Sequence, residues 1–250
     1  RVPAGAKLTL TGDNSTAIGN NWKEYCGGDS NYSNTTDTSY AGSGGSGIGN
    51  LRAETGIIVV DNVKGLTAEG YGAHGFGIGG INADITIKNN SGVKARGGFA
   101  SPDLIPQYGK GDPEGGAAIG VAGDNGSVKI ENSEILSAKG GSKSAAIGAQ
   151  FHSSAKISIT RSKIQDVIGG NASAGIGGSR FASGSTYLLD INIGDSEINA
   201  TGGYYGSGIG SGYDTYCEVQ KVGNIKINIS GNSVIVAKGG TNGAGIGTGY

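Results

Sequence analysis

Apolar and polar positions along this chain alternate in short runs. Ile58 and Val60, Ile85 and Ile87, Val128 and Ile130, Ile157 and Ile159, Ile191 and Ile193, and Ile227 and Ile229 each flank one residue, polar in all but the first pair: Thr86, Lys129, Ser158, Asn192 and Asn228. A period of two sends alternate side chains to opposite faces, so each run predicts a strand with a β-branched inner face and a solvated outer one. A second strand follows, closing on a small residue and usually two glycines: Ala95-Arg96-Gly97-Gly98, Ala138-Lys139-Gly140-Gly141, Ala200-Thr201-Gly202-Gly203 and Ala237-Lys238-Gly239-Gly240, with Val167-Ile168-Gly169-Gly170 as the apolar variant. Near the start, Lys7-Leu8-Thr9-Leu10-Thr11 alternates likewise before a turn at Gly12-Asp13-Asn14.

Between these strand pairs one triplet recurs, a small residue followed by Ile and Gly. Its isoleucines are Ile18, Ile48, Ile78, Ile119, Ile147, Ile176, Ile209 and Ile246, spaced by 30, 30, 41, 28, 29, 33 and 37 residues. A repeat of this length marks a solenoid, in which one turn cannot bury its apolar face alone. From the last inward residue of the opening strand to the central isoleucine the count is 17, 17, 16 and 17 in the last four turns. Such constancy predicts stacking in register. The expected architecture is all-β, a single domain over 1–250 folded as a three-sided parallel β-helix of about eight turns. Glycines at the corners accept positive φ and let successive turns approach closely.

Two stretches interrupt the pattern. Residues 20–46 hold Trp22, Tyr25, Cys26, Tyr32 and Tyr40 without alternating apolar positions, and are expected to form a long exposed loop. Residues 99–116 are an inserted loop between a double glycine and Ala118. Further length variation follows the Ile-Gly at Ser179–Leu188 and Ser211–Asn224. Insertions in solenoids map to loops, often on one binding face.

Composition narrows the class. Fifty-two glycines in 250 residues are about three times the usual share. No Gly-X-Y period accompanies them, so collagen is excluded, and the regular isoleucines argue against disorder. A formal net charge of −1 supplies no electrostatic footprint for nucleic acid or an anionic membrane. No apolar run approaches the roughly 20 residues that span a bilayer. The chain opens on Arg1 and holds no methionine, which points to processing, with a removed secretion signal the expected cause. Asn-X-Ser/Thr sequons stand at Asn14, Asn31, Asn34, Asn89, Asn125, Asn171, Asn199 and Asn228, and lean toward a secreted, glycosylated protein.

The recurring "ITI…G-x-I-x-A-x-G-G…A-G-I-G" pattern, over nearly the whole chain from Gly56, resembles the Gly-Ile-Gly-rich tandem repeats of secreted and cell-surface proteins from gut Firmicutes and related microbes. The resemblance implies an extracellular β-solenoid, of a kind described loosely as surface or carbohydrate-binding. It carries no site residue over.

A glycosidase needs two carboxyl groups roughly 5 to 9.5 Å apart. Asp84 and Asp190 are expected in one column but three turns apart, roughly 14 Å at strand spacing, with Lys156 between them beside Asp190. Asp103, Asp112 and Glu114, with Tyr108 and Lys110, form the best acidic cluster, yet their spacing resembles no dedicated calcium loop. His74 and His152 fall in turns far apart, and two cysteines are too few to complete a metal site. No catalytic residue, metal or cofactor is expected, and the glycine strings are corners rather than phosphate loops. Aromatics are the more informative candidates. Trp22, Phe151, Tyr213 and Tyr250 stand four residues after a central isoleucine, and Phe181 five, so they are expected to line one corner, either stacking on sugar rings or packing on themselves.

Cys26 and Cys217 each lie eight residues after an isoleucine of the repeat, at equivalent positions in turns one and seven on this reading. An internal bridge would have to span roughly 29 Å along the axis, whereas a disulfide needs Cα atoms within about 7 Å. The pair therefore predicts an intermolecular bond between subunits stacked head to tail. The favoured reading is an extracellular structural protein, a subunit of a head-to-tail homopolymer. Its alternative is carbohydrate recognition, as a binding module or a β-helix glycosidase or lyase. Neither nucleic acid nor a membrane span enters.

Overall fold

β-Branched residues at every second position fit the pleated, half-buried surface of a strand, and the glycine pairs between them end each strand sharply. In a computed structural model of the chain these preferences build three parallel sheets. The structure describes residues 7–13, 16–18, 46–72, 74–98, 115–150, 153–179, 187–213 and 224–249. Among them there is no helix, so none long and apolar enough to cross a membrane.

The first sheet stacks the opening strands: β1 (Lys7–Asp13), β4 (Ile57–Lys64), β7 (Asp84–Lys88), β10 (Ser127–Glu131), β13 (Ala155–Thr160), β16 (Leu188–Gly194) and β19 (Asn224–Ser230). The second holds β2 (Thr16–Ile18), β5 (Thr67–Glu69), β8 (Val93–Arg96), β11 (Glu134–Lys139), β14 (Lys163–Ile168), β17 (Glu197–Thr201) and β20 (Val234–Lys238). The third is made by the Ile-Gly segments: β3 (Ile48–Glu54), β6 (Ile78–Ile81), β9 (Ile119–Ala122), β12 (Ile147–Ala149), β15 (Ile176–Gly177), β18 (Ile209–Gly210) and β21 (Ile246–Gly247). One strand of each sheet makes one turn, which is a three-sided parallel β-helix.

Register runs unbroken along the core columns of the first and third sides, with bulges on the second at Ile135/Ser137 and Ile164/Val167. Ile58, Ile85, Val128, Ile157, Ile191 and Ile227 pair in sequence on the first side. On the third side the column is Ile48, Ile78, Ile119, Ile147, Ile176, Ile209 and Ile246. Both columns are buried through the middle of the stack and join the alanines and valines of the second side in one core.

Among the described residues the turns number seven, against about eight expected, and the difference lies in Ile18. Its triplet is not part of the Ile-Gly column: Ile18 belongs to β2 on the second side and pairs with Glu69, while Ile48 opens the third side. Residues 19–45 are thereby the connection from the second side to the third in turn one, the same corner that receives 99–114 in turn three. Both loops expected from the sequence lie outside the described residues apart from their ends.

The corner between first and second sides carries a device the periodicity did not reveal. Asn62, Asn89, Asn132, Arg161 and Asp195 take φ of 53°, 56°, 43°, 46° and 49° there, a left-handed bend that Asn and Asp tolerate better than most residues. After Asn62 the next residue is the buried Val63; after the other four it is polar and faces inward, as Asn90, Ser133, Ser162 and Ser196. Each accepts from a backbone N–H of the turn before: Val63 N donates to Asn90 Oδ1 (2.6 Å), Asn90 N to Ser133 Oγ (3.2 Å), Ser133 N to Ser162 Oγ (3.2 Å) and Ser162 N to Ser196 Oγ (3.1 Å). Every serine hydroxyl also donates to the carbonyl two residues earlier, Ser162 Oγ to Thr160 O at 2.7 Å among them. A buried backbone N–H without a partner is expensive, so this ladder settles the amides that the bend removes from the sheets. Ser162→Ala is expected to lower stability by about 1–3 kcal/mol, read as a shift in the urea midpoint, because it strands the Ser133 amide.

Candidate functional site

The corner between second and third sides is built mainly from backbone, with buried side chains bonding into it, as where Ser144 Oγ donates to Gly115 O at 2.6 Å. Gly141, Gly170, Gly203 and Gly240 each close a tight turn, their carbonyls accepting from Ser144, Ser173, Gly206 and Gly243 at 3.1, 3.1, 2.9 and 3.0 Å. The tips are Ser142-Lys143, Asn171-Ala172, Tyr204-Tyr205 and Thr241-Asn242. Adjacent tips are sewn together by Gly170 N to Ser144 O (3.0 Å), Gly203 N to Ser173 O (2.9 Å) and Gly240 N to Gly206 O (2.9 Å). A Cβ at Gly170 would overlap the carbonyl of Gly141, and one at Gly203 that of Gly170, which is why glycine recurs here from Gly98 through Gly141, Gly170, Gly203 and Gly240.

Past the Ile-Gly the chain folds back on itself. Ala174 N bonds Gly178 O (2.9 Å), Ser207 N bonds Ser211 O (3.1 Å) and Ala244 N bonds Thr248 O (3.2 Å). In turn six the returning strand reaches the tip, where Tyr213 N donates to Ala172 O at 2.9 Å. Its ring then lies against Tyr205, with centroids 4.9 Å apart and planes at 30°. Tyr204 meets Tyr205 nearly at right angles, at 4.3 Å, and is 54% exposed. Three tyrosines thus gather at one tip.

Tyr213 is the one expected aromatic among the described residues, and it packs on Tyr205, a ring outside the expected column. Tyr204 and Tyr205 were missed, although a Tyr-Tyr pair directly after a double glycine is legible as a loop tip. Phe151, Phe181 and Tyr250 lie outside the described residues, as does Trp22. Cys26 and Cys217 also lie outside.

Of the sequons, Asn89, Asn125, Asn171, Asn199 and Asn228 are described and all are exposed. Asn89 is engaged, its amide donating to Asp61 Oδ1 at 3.0 Å, and the hydroxyl residue of the Asn171 sequon, Ser173, is fully buried. Asn14, Asn31 and Asn34 lie outside the described residues.

Charged groups form ladders on the outer faces rather than a centre. Asp84, Ser127, Lys156 and Asp190 stand in one column, which keeps the two carboxylates three turns apart as expected. Asp84 accepts from Ser127 Oγ at 2.6 Å. Lys88–Asp61 (3.1 Å), Lys139–Asp166 (3.1 Å) and Lys163–Glu197 (3.8 Å) are surface ion pairs between neighbouring turns, screened by solvent and weak. The Asn89 amide and the Lys88 ammonium hold the Asp61 carboxyl below the usual carboxylate range. His74 Nδ1 lies 2.7 Å from Gln150 Nε2, and His152, Asp103, Asp112 and Glu114 are outside the described residues. Among the described residues no three His, Cys, Asp or Glu side chains gather to hold a metal ion.

The last turn differs from those beneath it. Ile229, Val234, Val236 and Ile246 are 38%, 61%, 48% and 49% exposed, whereas Ile209 in the same column as Ile246 is wholly buried. Val234 and Val236 stand on the outer face in register with Glu197 and Asn199. Comparison with known proteins returns no matching family model, no matching curated relative and no matching solved structure.

Proposed function

We propose that this protein is an extracellular structural solenoid whose subunits associate end to end. The observation that carries the reading is the continuity of register from first turn to last. Leu8 and Leu10 of β1 occupy the columns that end in Ile227 and Ile229, Ala17 that of Ala237, and Ile48 that of Ile246. A second copy placed on the last turn would continue every inward column, and its β1 would pair with the open edge of β19. Exposed parallel edges invite pairing with another chain, and β-branched residues replace polar ones there at Val234 and Val236. A head-to-tail contact does not close on itself, so it propagates as a filament. One mismatch accompanies the match: Lys7 would lie over Lys226, so added salt, which screens that pair, is expected to favour assembly. The extracellular placement is supported by the exposed sequons and by the resemblance drawn from the repeat.

Sedimentation velocity tests the contact. The wild-type chain is expected to give a series of species that grows with concentration. Ile246→Lys, at a half-exposed end position, is expected to leave a folded monomer. A variant that assembles as readily as the wild type would remove the last turn from the interface.

A further inference from the structure

We propose that the Tyr204 tip is a binding subsite for a neutral polysaccharide, which stacks the apolar face of one pyranose ring on Tyr204. Three observations meet there. First, the fold leaves Tyr204 54% exposed while it half-buries Tyr205 and Tyr213 beneath it. The ring contacts at 4.3 and 4.9 Å hold Tyr204 on a base of two further rings rather than on a mobile loop. An aromatic side chain with an apolar body and a polar hydroxyl, fixed in place, loses little entropy when a flat partner covers it.

Second, the tips on either side present amide and hydroxyl groups. Asn171 stands one turn below and Thr241 and Asn242 one turn above, all exposed, at the roughly 4.8 Å spacing of neighbouring strands. Amide and hydroxyl side chains both donate and accept, which suits sugar hydroxyls beside a stacked ring. Third, those two flanking tips carry no ionisable side chain, so nothing at them favours a uronate or a sulfated sugar over a neutral one. The subsite belongs to a single subunit and holds whether or not subunits assemble.

Affinity electrophoresis of the full chain in gels containing laminarin, xyloglucan or galactomannan, with polygalacturonate as the acidic comparison, tests it. At least one neutral polymer is expected to retard the protein and polygalacturonate to leave it unretarded. Tyr204→Ala is expected to weaken the retardation by about tenfold in Kd, with circular dichroism and Tm unchanged, and Tyr204→Trp to keep it. Retardation by none of the neutral polymers, retardation by polygalacturonate alone, or equal binding by Tyr204→Ala would each overturn the proposal.

Discussion

Gly177→Ala is expected to unfold the central turns. Gly177 has φ of +132°, a conformation that side chains rarely adopt. A Cβ there would overlap the carbonyl oxygen of Gly210 in the next turn and approach Ile191 Cδ1 to 3.1 Å. That carbonyl cannot yield, because it already accepts from Gly178 N at 2.7 Å and its residue pairs with Gly177 in the sheet. Gly49, Gly79, Gly120, Gly148 and Gly210 meet the glycine carbonyl of the turn above in the same way, so strain at one position is not absorbed by its neighbours. The expected loss exceeds about 4 kcal/mol, measured by urea unfolding. Gly194→Ala is the matched control. Its φ is not positive, and the nearest atom to an added Cβ is Ser230 Oγ at 3.4 Å. It is expected to change stability by about 1 kcal/mol or less in either direction. Similar losses for the two variants would mean the turns are not packed backbone on backbone.

Ile176→Ala is expected to cost about 2–5 kcal/mol. Ile176 is fully buried, between Ile147 and Ile209 of the adjacent turns, which are equally buried. Its cavity would be walled above and below by side chains held in register by sheet hydrogen bonds, so collapse is restricted. Ile246→Ala removes the same atoms from the same column where the side chain is 49% exposed, and is expected to cost about 1 kcal/mol or less. The gap between the two is a property of stacking rather than of residue type. A loss under about half a kcal/mol for Ile176→Ala would place that side chain outside the core.

Most of this fold could be read before the structure, because alternation and a fixed count are local. The pairing of Ile147, Ile176, Ile209 and Ile246 follows from counts of 16 or 17 residues within a turn. The first turn was misread because an Ala-Ile-Gly triplet is too short to identify its column. The corrective was in the same count: Ile18 lies only eight residues after Leu10, too few to complete two further sides. The serine ladder escaped for another reason. A buried serine has the same composition as an exposed one, and only its place after a left-handed residue, as in Asn132-Ser133, Arg161-Ser162 and Asp195-Ser196, marks it. The aromatic tip was half legible. Tyr213 was found by its spacing, whereas its meeting with Tyr205 depends on the chain folding back after Ile209, which no local pattern encodes.

End-to-end stacking of this solenoid is tested most directly by imaging the concentrated protein in negative stain, with fibre diffraction from aligned samples. The account predicts unbranched fibres one solenoid wide, with a meridional reflection near about 4.8 Å. A uniform population of separate particles at high concentration and raised salt would contradict it.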